Sequence, residues 1–296
     1  MVTSPPYPMV AMWDEVFGIS GVIEAGDGPG AFEAGHAVLD AAWAECFRVL
    51  IPGGLCCINI GDATRSVGGE FGLWPNHARI LRACMDLGFT VLPDILWRKP
   101  NNSPTKFMGS GMLPAGAYVT YEHEYVLVLR KGGRRRFKAS ERANRRASAV
   151  FWEERNAWYS DLWDLKGTGQ KLGRSRERSA AFPFELAYRL ICMHSVYGDV
   201  VLDPFAGTGT TLHAAATAGR SSVGIDTDAD LVSGFSLQAD FERVRERLSA
   251  HRAFVEGREC KHENALYGPV VTSQERDLEL RLGAVSGDLV EYEVLE

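Results

Sequence analysis

The 296-residue chain contains no run of 18 apolar residues, so no segment reads as a membrane-spanning helix. The first residues lack the basic region and apolar core of a secretory signal, and no export is expected. Six cysteines are present, at positions 46, 56, 57, 84, 192 and 260, but none forms a CxxC pair or a zinc-ligand spacing. Cys56 and Cys57 lie in an apolar run, so buried free thiols in a reducing cytosol are expected. The expectation is a cytoplasmic protein without a metal centre. No internal repeat occurs. Positive charge is also in deficit: the net charge is −6, which by itself weighs against a nucleic-acid partner.

The deficit is uneven. Arg98 to Arg178 holds 18 Lys and Arg against 8 Asp and Glu, while the rest holds 14 against 30. Such asymmetry predicts a localised polyanion-binding surface, with a solvated basic loop as the alternative. An apolar fraction of 46% is ample for a core, and the length fits one large domain or two small ones.

What the chain does have is a Gly-rich turn. Val200-Val201-Leu202 reads as a buried strand, and Asp203-Pro204-Phe205-Ala206-Gly207-Thr208-Gly209-Thr210-Thr211 follows it. Leu212 to Ala218 then reads as a helix ended by Gly219. Strand, turn and helix N-terminus form the nucleotide-cradling unit of doubly wound α/β domains. The second strand, Ser222 to Ile225, ends in Asp226, where an acid can hold ribose hydroxyls. Leu212 stands where a dinucleotide fingerprint has its third glycine, so a ligand without a pyrophosphate fits better than NAD.

At the other end, Thr3-Ser4-Pro5-Pro6-Tyr7 follows Met1-Val2. Pro5 and Pro6 carry no amide hydrogen, so they stop a strand and leave carbonyls free. This motif and the Gly-rich turn, in that order and about 200 residues apart, resemble the signature pair of the DNA amino-methyltransferases that use S-adenosylmethionine (SAM). The order is similar to the family's beta arrangement, and Ser-Pro-Pro-Tyr looks like its cytosine-N4 branch. Resemblance covers about residues 2 to 240. Members usually carry a Gly-Asp turn, a helix and most of this strand before the motif. Here two residues precede Thr3. A misassigned start or a substitute segment is the expected reason, and a weaker adenine pocket the expected effect.

The resemblance implies an α/β fold with a doubly wound, mostly parallel, Rossmann-like sheet and an inserted basic target-recognition region. It implies a catalytic half over residues 1–131 and a recognition region over 132–178. A SAM-binding half would span 179–248, followed by a C-terminal extension over 249–296. Ser4, Pro5, Pro6 and Tyr7 become the catalytic residues: the Ser4 hydroxyl and Pro5 carbonyl accept from the target amine, and Tyr7 stacks on the base. Asp203, Phe205, Ala206, Gly207, Gly209, Thr210, Thr211 and Asp226 become the SAM cradle, with Pro183 and Glu185 at its methionine end. Double-stranded DNA is the implied partner, its cytosine flipped out for methylation at N4. Neither a metal nor a cysteine nucleophile is needed. Adenine N6 is the alternative target, and an inactive DNA-binding protein is the alternative of another class. Whether a restriction endonuclease accompanies the chain, and whether it acts as a monomer or homodimer, stays open.

Arg134, Arg135, Arg136, Arg142, Arg145, Arg146, Arg174 and Arg176 are the candidate DNA-binding residues, since guanidinium groups match phosphate and guanine edges. The interleaved aromatics are expected mostly in a small satellite core, Trp152 and Trp163 especially. Elsewhere, apolar spacing predicts helices over Val38 to Leu50, Pro75 to Leu87, a Pro183-initiated segment and Asp230 to Leu248. Strands are predicted over Leu55 to Ile60, Phe89 to Trp97 with a bulge at Pro93, and Tyr125 to Leu129. Two more are predicted at Val270 to Thr272 and Leu289 to Leu295. A Gly-rich loop through Gly21, Gly26, Gly28 and Gly30 is either a lid or plain surface. Asp62 is expected to form a turn, and His123 to be structural.

Overall fold

The computed structural model describes residues 1–99, 108–167, 170–172, 176–178 and 182–256. Strands in chain order are β1 (Val2–Thr3), β2 (Leu55–Ile60), β3 (Ala63–Val67), β4 (Glu70–Trp74), β5 (Phe89–Val91), β6 (Ile95–Arg98) and β7 (Met108–Gly109). There follow β8 (Ala117–Tyr118), β9 (His123–Lys131), β10 (Leu162–Asp164), β11 (Gln170–Leu172), β12 (Arg176–Arg178), β13 (Val200–Asp203) and β14 (Ser221–Gly224). The helices are α1 (Asp14–Phe17), α2 (Ser20–Glu24), α3 (Gly28–Val49), α4 (Asn76–Asp86) and α5 (Arg142–Ala147). Then come α6 (Trp152–Trp158), α7 (Phe184–His194), α8 (Thr210–Thr217), α9 (Ala229–Ser233) and α10 (Phe241–Glu256).

The central sheet runs β1-β2-β9-β6-β10, with β5 also paired to β9. β1 is parallel to β2 and β10 to β6, while β9 is antiparallel to each of its neighbours. One strand is therefore reversed in an otherwise parallel set. β13 and β14 pair in parallel, and β13 lies beside β1.

Both faces of the sheet are covered. Alternate side chains of a strand point to opposite faces. Cys56, Ile58, Ile60, Leu127 and Leu129 face Leu39, Trp43 and Cys46 of α3 and Ile80 and Cys84 of α4. Cys57, Val126 and Val128 face Leu186, Leu190 and Ile191 of α7 and Ala214 and Ala215 of α8. This three-layer packing is the predicted doubly wound architecture. The five described cysteines are free and buried.

Several expectations change. Residues 20–49 are helical apart from Ala25–Asp27, so the glycines at 21, 28 and 30 belong to α2 and α3 rather than to a lid. Asp27 caps α3 by accepting from Gly30 N at 2.8 Å. Pro93 splits the Phe89–Trp97 run into β5 and β6, both on β9. The predicted Asp230–Leu248 helix is two helices, α9 and α10. The latter runs through the 248/249 boundary. β10 joins the main sheet, and Phe151, Trp158 and Trp163 are buried, so the 132–178 region is not a separate body. Trp158 and Trp163 join the main core rather than the expected satellite core, Phe151 packs apart from it with Val244 and Leu248, and Trp152 is half-buried. The predicted strands at 270–272 and 289–295 lie outside the described residues.

Candidate active site

Parallel strands open their carboxyl ends to ligands. The turn of Ser4-Pro5-Pro6-Tyr7 leaves the carboxyl end of β1, and the Gly-rich turn leaves that of β13. The two are clasped together. Thr3 Oγ1 donates to Asp203 Oδ1 at 2.5 Å, and Thr211 Oγ1 donates to the Val2 carbonyl at 3.3 Å. Asp203 is 1% exposed and also accepts from Phe205 N at 3.1 Å. Burial pushes its carboxyl pKa up. Its carboxylate therefore braces the turn from inside, and buried Thr211 likewise points into the clasp.

Gly207 (φ +54°) and Gly209 (φ +83°) hold the left-handed conformation that glycine tolerates. A side chain at Gly209 would meet Phe235, whereas the space above Gly207 is open. Gly207 N donates to Asp226 Oδ2 at 2.7 Å, and Asp228 N donates to Oδ1 at 2.9 Å. Each carboxylate oxygen keeps a lone pair free for a hydroxyl. Leu212, at the place of the missing third glycine, is accommodated by the facing strand. A Cβ on Gly224 would sit 2.8 Å from Leu212 and 2.9 Å from Ala206. Close strand–helix packing is thus kept with the glycine moved across. Phe205 packs edge-on to Trp43, 5.8 Å between ring centroids. Ala206 and Thr210 are half-buried.

Ser4 is half-buried above a polar cluster that periodicity alone did not single out. Ser4 Oγ lies 3.1 Å from Tyr7 Oη, and Tyr7 Oη donates to Glu124 Oε2 at 2.9 Å. Asn59 Nδ2 donates to Glu124 Oε2 at 2.7 Å, to Tyr7 Oη at 2.8 Å and, at 3.4 Å, to Ser4 Oγ. Lys99 Nζ pairs with Glu124 Oε1. Tyr7 is 9% exposed, so its ring sits mainly in the core beside α3 rather than free to stack on a base. Burial and the Glu124 charge push its pKa well up. Pro5 is buried and Pro6 half-buried.

Asp62 does not form the expected turn. It accepts from His77 N at 3.0 Å, capping the start of α4, and from His77 Nδ1 at 2.7 Å. The His77 ring stacks on Tyr125, 3.9 Å between centroids. His123 opens β9 and packs against Tyr121 and Tyr125, a structural role. Pro183 is the buried N-cap of α7. Glu185 is held by Arg189 at 2.7 Å and by Arg243 at 2.9 Å, so its carboxylate serves an internal network.

The arginines divide by position. β9 runs from Glu124, at the active-site edge, to Lys131 at the opposite edge. Arg134 to Arg146 follow from that far edge: Arg135 forms a two-bonded pair with Asp199 ahead of β13, at 2.6 and 2.9 Å. Asn144 of α5 bonds the Tyr197 carbonyl in the same loop. Thr3 is level with Ile58 and, through it, with Leu127 of β9, so about five strand residues, roughly 15 Å, run from the level of Ser4 to Lys131, and this cluster follows beyond that end. Arg134, Arg136, Arg142, Arg145 and Arg146 are exposed there. That placement puts them toward the sheet edge opposite the Ser4 turn. β10 returns to the active-site edge, so the chain beyond Asp164 emerges beside the site. The Arg176 backbone lies in β12, and Arg174 lies outside the described residues. Among the described residues, no His, Cys, Asp and Glu grouping is placed to hold a metal.

The DNA methylase family of N6/N4 methyltransferases matches residues 1–236. The type II methyltransferase M.MthZI of Methanothermobacter thermautotrophicus is 50% identical over 297 residues, 95% of this chain and 84% of the relative. M.MjaI of Methanocaldococcus jannaschii is 45% identical over 78% of this chain and 81% of its own. Among solved structures, TTHA0409 of Thermus thermophilus, described as a DNA modification methylase complexed with S-adenosyl-L-methionine, is 35% identical. It superposes with a TM-score of 0.60 over 80% of this chain and 88% of its own. The cytosine-N4-specific PvuII DNA methyltransferase, 17% identical, shares the fold with a TM-score of 0.53 over 94% and 84%.

Proposed function

The chain belongs to the N6/N4 DNA methylase family, and on that premise we propose that it methylates the exocyclic N4 amine of a flipped-out cytosine in duplex DNA. The observation that carries this reading is the clasp between the Ser4 turn and the Gly-rich turn through Thr3 and Asp203. It sets an acceptor-rich tetrapeptide against a turn shaped for a nucleoside ligand.

SAM supplies a methyl group that is already activated, so the protein must chiefly position and polarise. The open space above Gly207 beside Asp226 suits its nucleoside end. Asp226 would hold the ribose hydroxyls, and the Gly207 and Gly209 backbone would let the ligand approach. The half-buried Thr210 faces the methionine part in this reading. Cytosine's amine is a weak nucleophile because its lone pair is delocalised into the ring. Acceptors at its two hydrogens, Ser4 Oγ and the Pro5 carbonyl, favour pyramidalisation and stabilise the developing charge. Serine in the tetrapeptide supports cytosine over adenine.

The deciding experiment is nucleoside mass spectrometry on DNA from a methylation-free host expressing this chain. N4-methylcytosine is expected. N6-methyladenine would keep the mechanism and overturn the base. Neither product would favour a DNA-binding protein without transfer activity. Ser4→Ala should lower single-turnover transfer roughly 100- to 1,000-fold with SAM affinity retained. Equal loss of SAM affinity in calorimetry would make Ser4 a scaffold residue. Asp226→Ala should weaken SAM binding roughly 10- to 100-fold, and unchanged affinity would remove it from the site.

A further inference from the structure

We propose that Glu124 is a positioning residue that fixes the direction of the hydrogen bonds at Ser4, so that the serine oxygen faces the substrate amine as an acceptor. The inference rests on the reading that Ser4 meets the amine.

A carboxylate only accepts hydrogen bonds. Three donors converge on this one: Lys99 Nζ on Oε1, and Tyr7 Oη and Asn59 Nδ2 on Oε2. Its side chain is 12% exposed, and Asn59 is 2% exposed. Tyr7 has a single proton, and Glu124 takes it. The Tyr7 oxygen can then only accept, from Asn59 at 2.8 Å and from Ser4 at 3.1 Å. The Ser4 proton therefore points inward, and a Ser4 lone pair is left for the amine. Reversed, Tyr7 would donate to Ser4, the serine proton would turn outward, and two donors would face each other at the reacting nitrogen. The upward shift of the Tyr7 pKa keeps its proton in place.

A glutamine at 124 offers one oxygen to donors on two sides. With Lys99 charged, that oxygen turns to the lysine, and the amide nitrogen faces Tyr7 and forces the reversed chain. Removing the lysine charge frees the amide to turn back. The test measures single-turnover methyl transfer at saturating SAM and unmethylated duplex DNA. The proteins compared are the unsubstituted chain, Ser4→Ala, Tyr7→Phe, Glu124→Gln and the pair Lys99→Met with Glu124→Gln. SAM affinity and melting temperature are recorded for each.

Glu124→Gln is expected to lose roughly 100-fold in rate with SAM affinity unchanged, the scale of a misaligned reacting group. Tyr7→Phe should also lose rate, because the Ser4 proton loses its inward acceptor. Adding Lys99→Met to Glu124→Gln should restore rate by about tenfold, a recovery that a merely structural role would not give. A folded Glu124→Gln at full rate overturns the proposal, as does a pair with no recovery. Should Glu124→Gln fail to fold, the pair and Tyr7→Phe decide. If Ser4→Ala keeps its rate, the acceptor reading itself fails. If only Ser4→Ala loses rate, that reading stands and the role of Glu124 falls. An unsubstituted chain without transfer overturns both.

Discussion

His36 is fully buried in α3, with Nε2 3.0 Å from Asn76 Oδ1 and no partner for Nδ1. The Asn76 amide nitrogen already donates to the Pro8 and Gly61 carbonyls, so Oδ1 faces the histidine and His36 Nε2 is the donor. Burial lowers its pKa to about 4. The unfolded chain takes up that proton near pH 6.5, the folded one only near 4. Stability from this residue is thus fully present above about pH 6.5 and declines as pH falls toward 4, by at most about 1.4 kcal/mol per pH unit. Half-buried His194, whose pKa desolvation also lowers to about 4, adds a second share of the same sign. Urea unfolding at about pH 7.5 and 5.5, on either side of the unfolded-chain pKa, should show the loss, and His36→Gln should show less of it. Because Asn76 also anchors the loop after Tyr7, acid should loosen the Ser4 turn early. At this scale the sequence was partly readable. Ser4, Gly207 and Asp226 stand in motifs whose spacing points to a ligand. Asn59 and Glu124 do not, since only the β2–β9 register brings them beside Ser4. The one available signal was a lone Asn inside the apolar run Leu55–Ile60, a polar group that burial obliges to find partners.

Element by element, periodicity located β2, α4, α7, α8 and the second half of α3. The first half of α3 was hidden by Gly28, Pro29, Gly30 and Gly35, which read as loop. Asp27 followed by Pro29 in the first turn was the legible start signal. Gly28 has a specific reason to be glycine: a Cβ there would fall 2.4 Å from the Trp74 ring of the β3–β4 hairpin. Gly28→Ala should cost about 1–3 kcal/mol, the range for overpacking, while Gly21→Ala, facing open space, should not destabilise. Chemical denaturation of the two variants checks this, and equal behaviour would mean the hairpin yields freely. Gly224→Ala should be similarly costly, because it removes the room that Leu212 uses.

Across the whole molecule, the sheet's two edges have different tasks. Composition detected the basic excess between Arg98 and Arg178 but could not tell which edge each arginine joins. That depends on the reversal of β9 and on β10 entering the sheet. Replacing Arg142, Arg145 and Arg146 with glutamine should leave the salt dependence of DNA binding unchanged. Replacing Lys166, exposed just beyond β10 at the active-site edge, should reduce the slope of log K against log salt by about 1. Fluorescence titrations from about 50 to 200 mM salt decide between the edges. The far side of the 132–178 region is fixed instead by Arg247 of α10. It is two-bonded to Glu154 of α6 at 2.5 and 2.7 Å and lies over Phe151. Arg247→Ala should cost about 3–5 kcal/mol, because it strands a mostly buried carboxylate, and Arg247→Met with Glu154→Leu should cost less. Urea unfolding of both checks the order.

The Thr3–Asp203 clasp has a consequence for the timing of folding. β1 is made before both of its neighbours and can pair with β2 once Leu55–Ile60 has emerged. Its other neighbour lies 200 residues further on. At about 5–20 residues per second, synthesis separates the two by roughly 10–40 s. Contacts so distant in the chain are also the slowest to close. The Ser4 turn is therefore among the last parts to set, and a nascent chain carries it unbraced until β13 and its Gly-rich turn arrive.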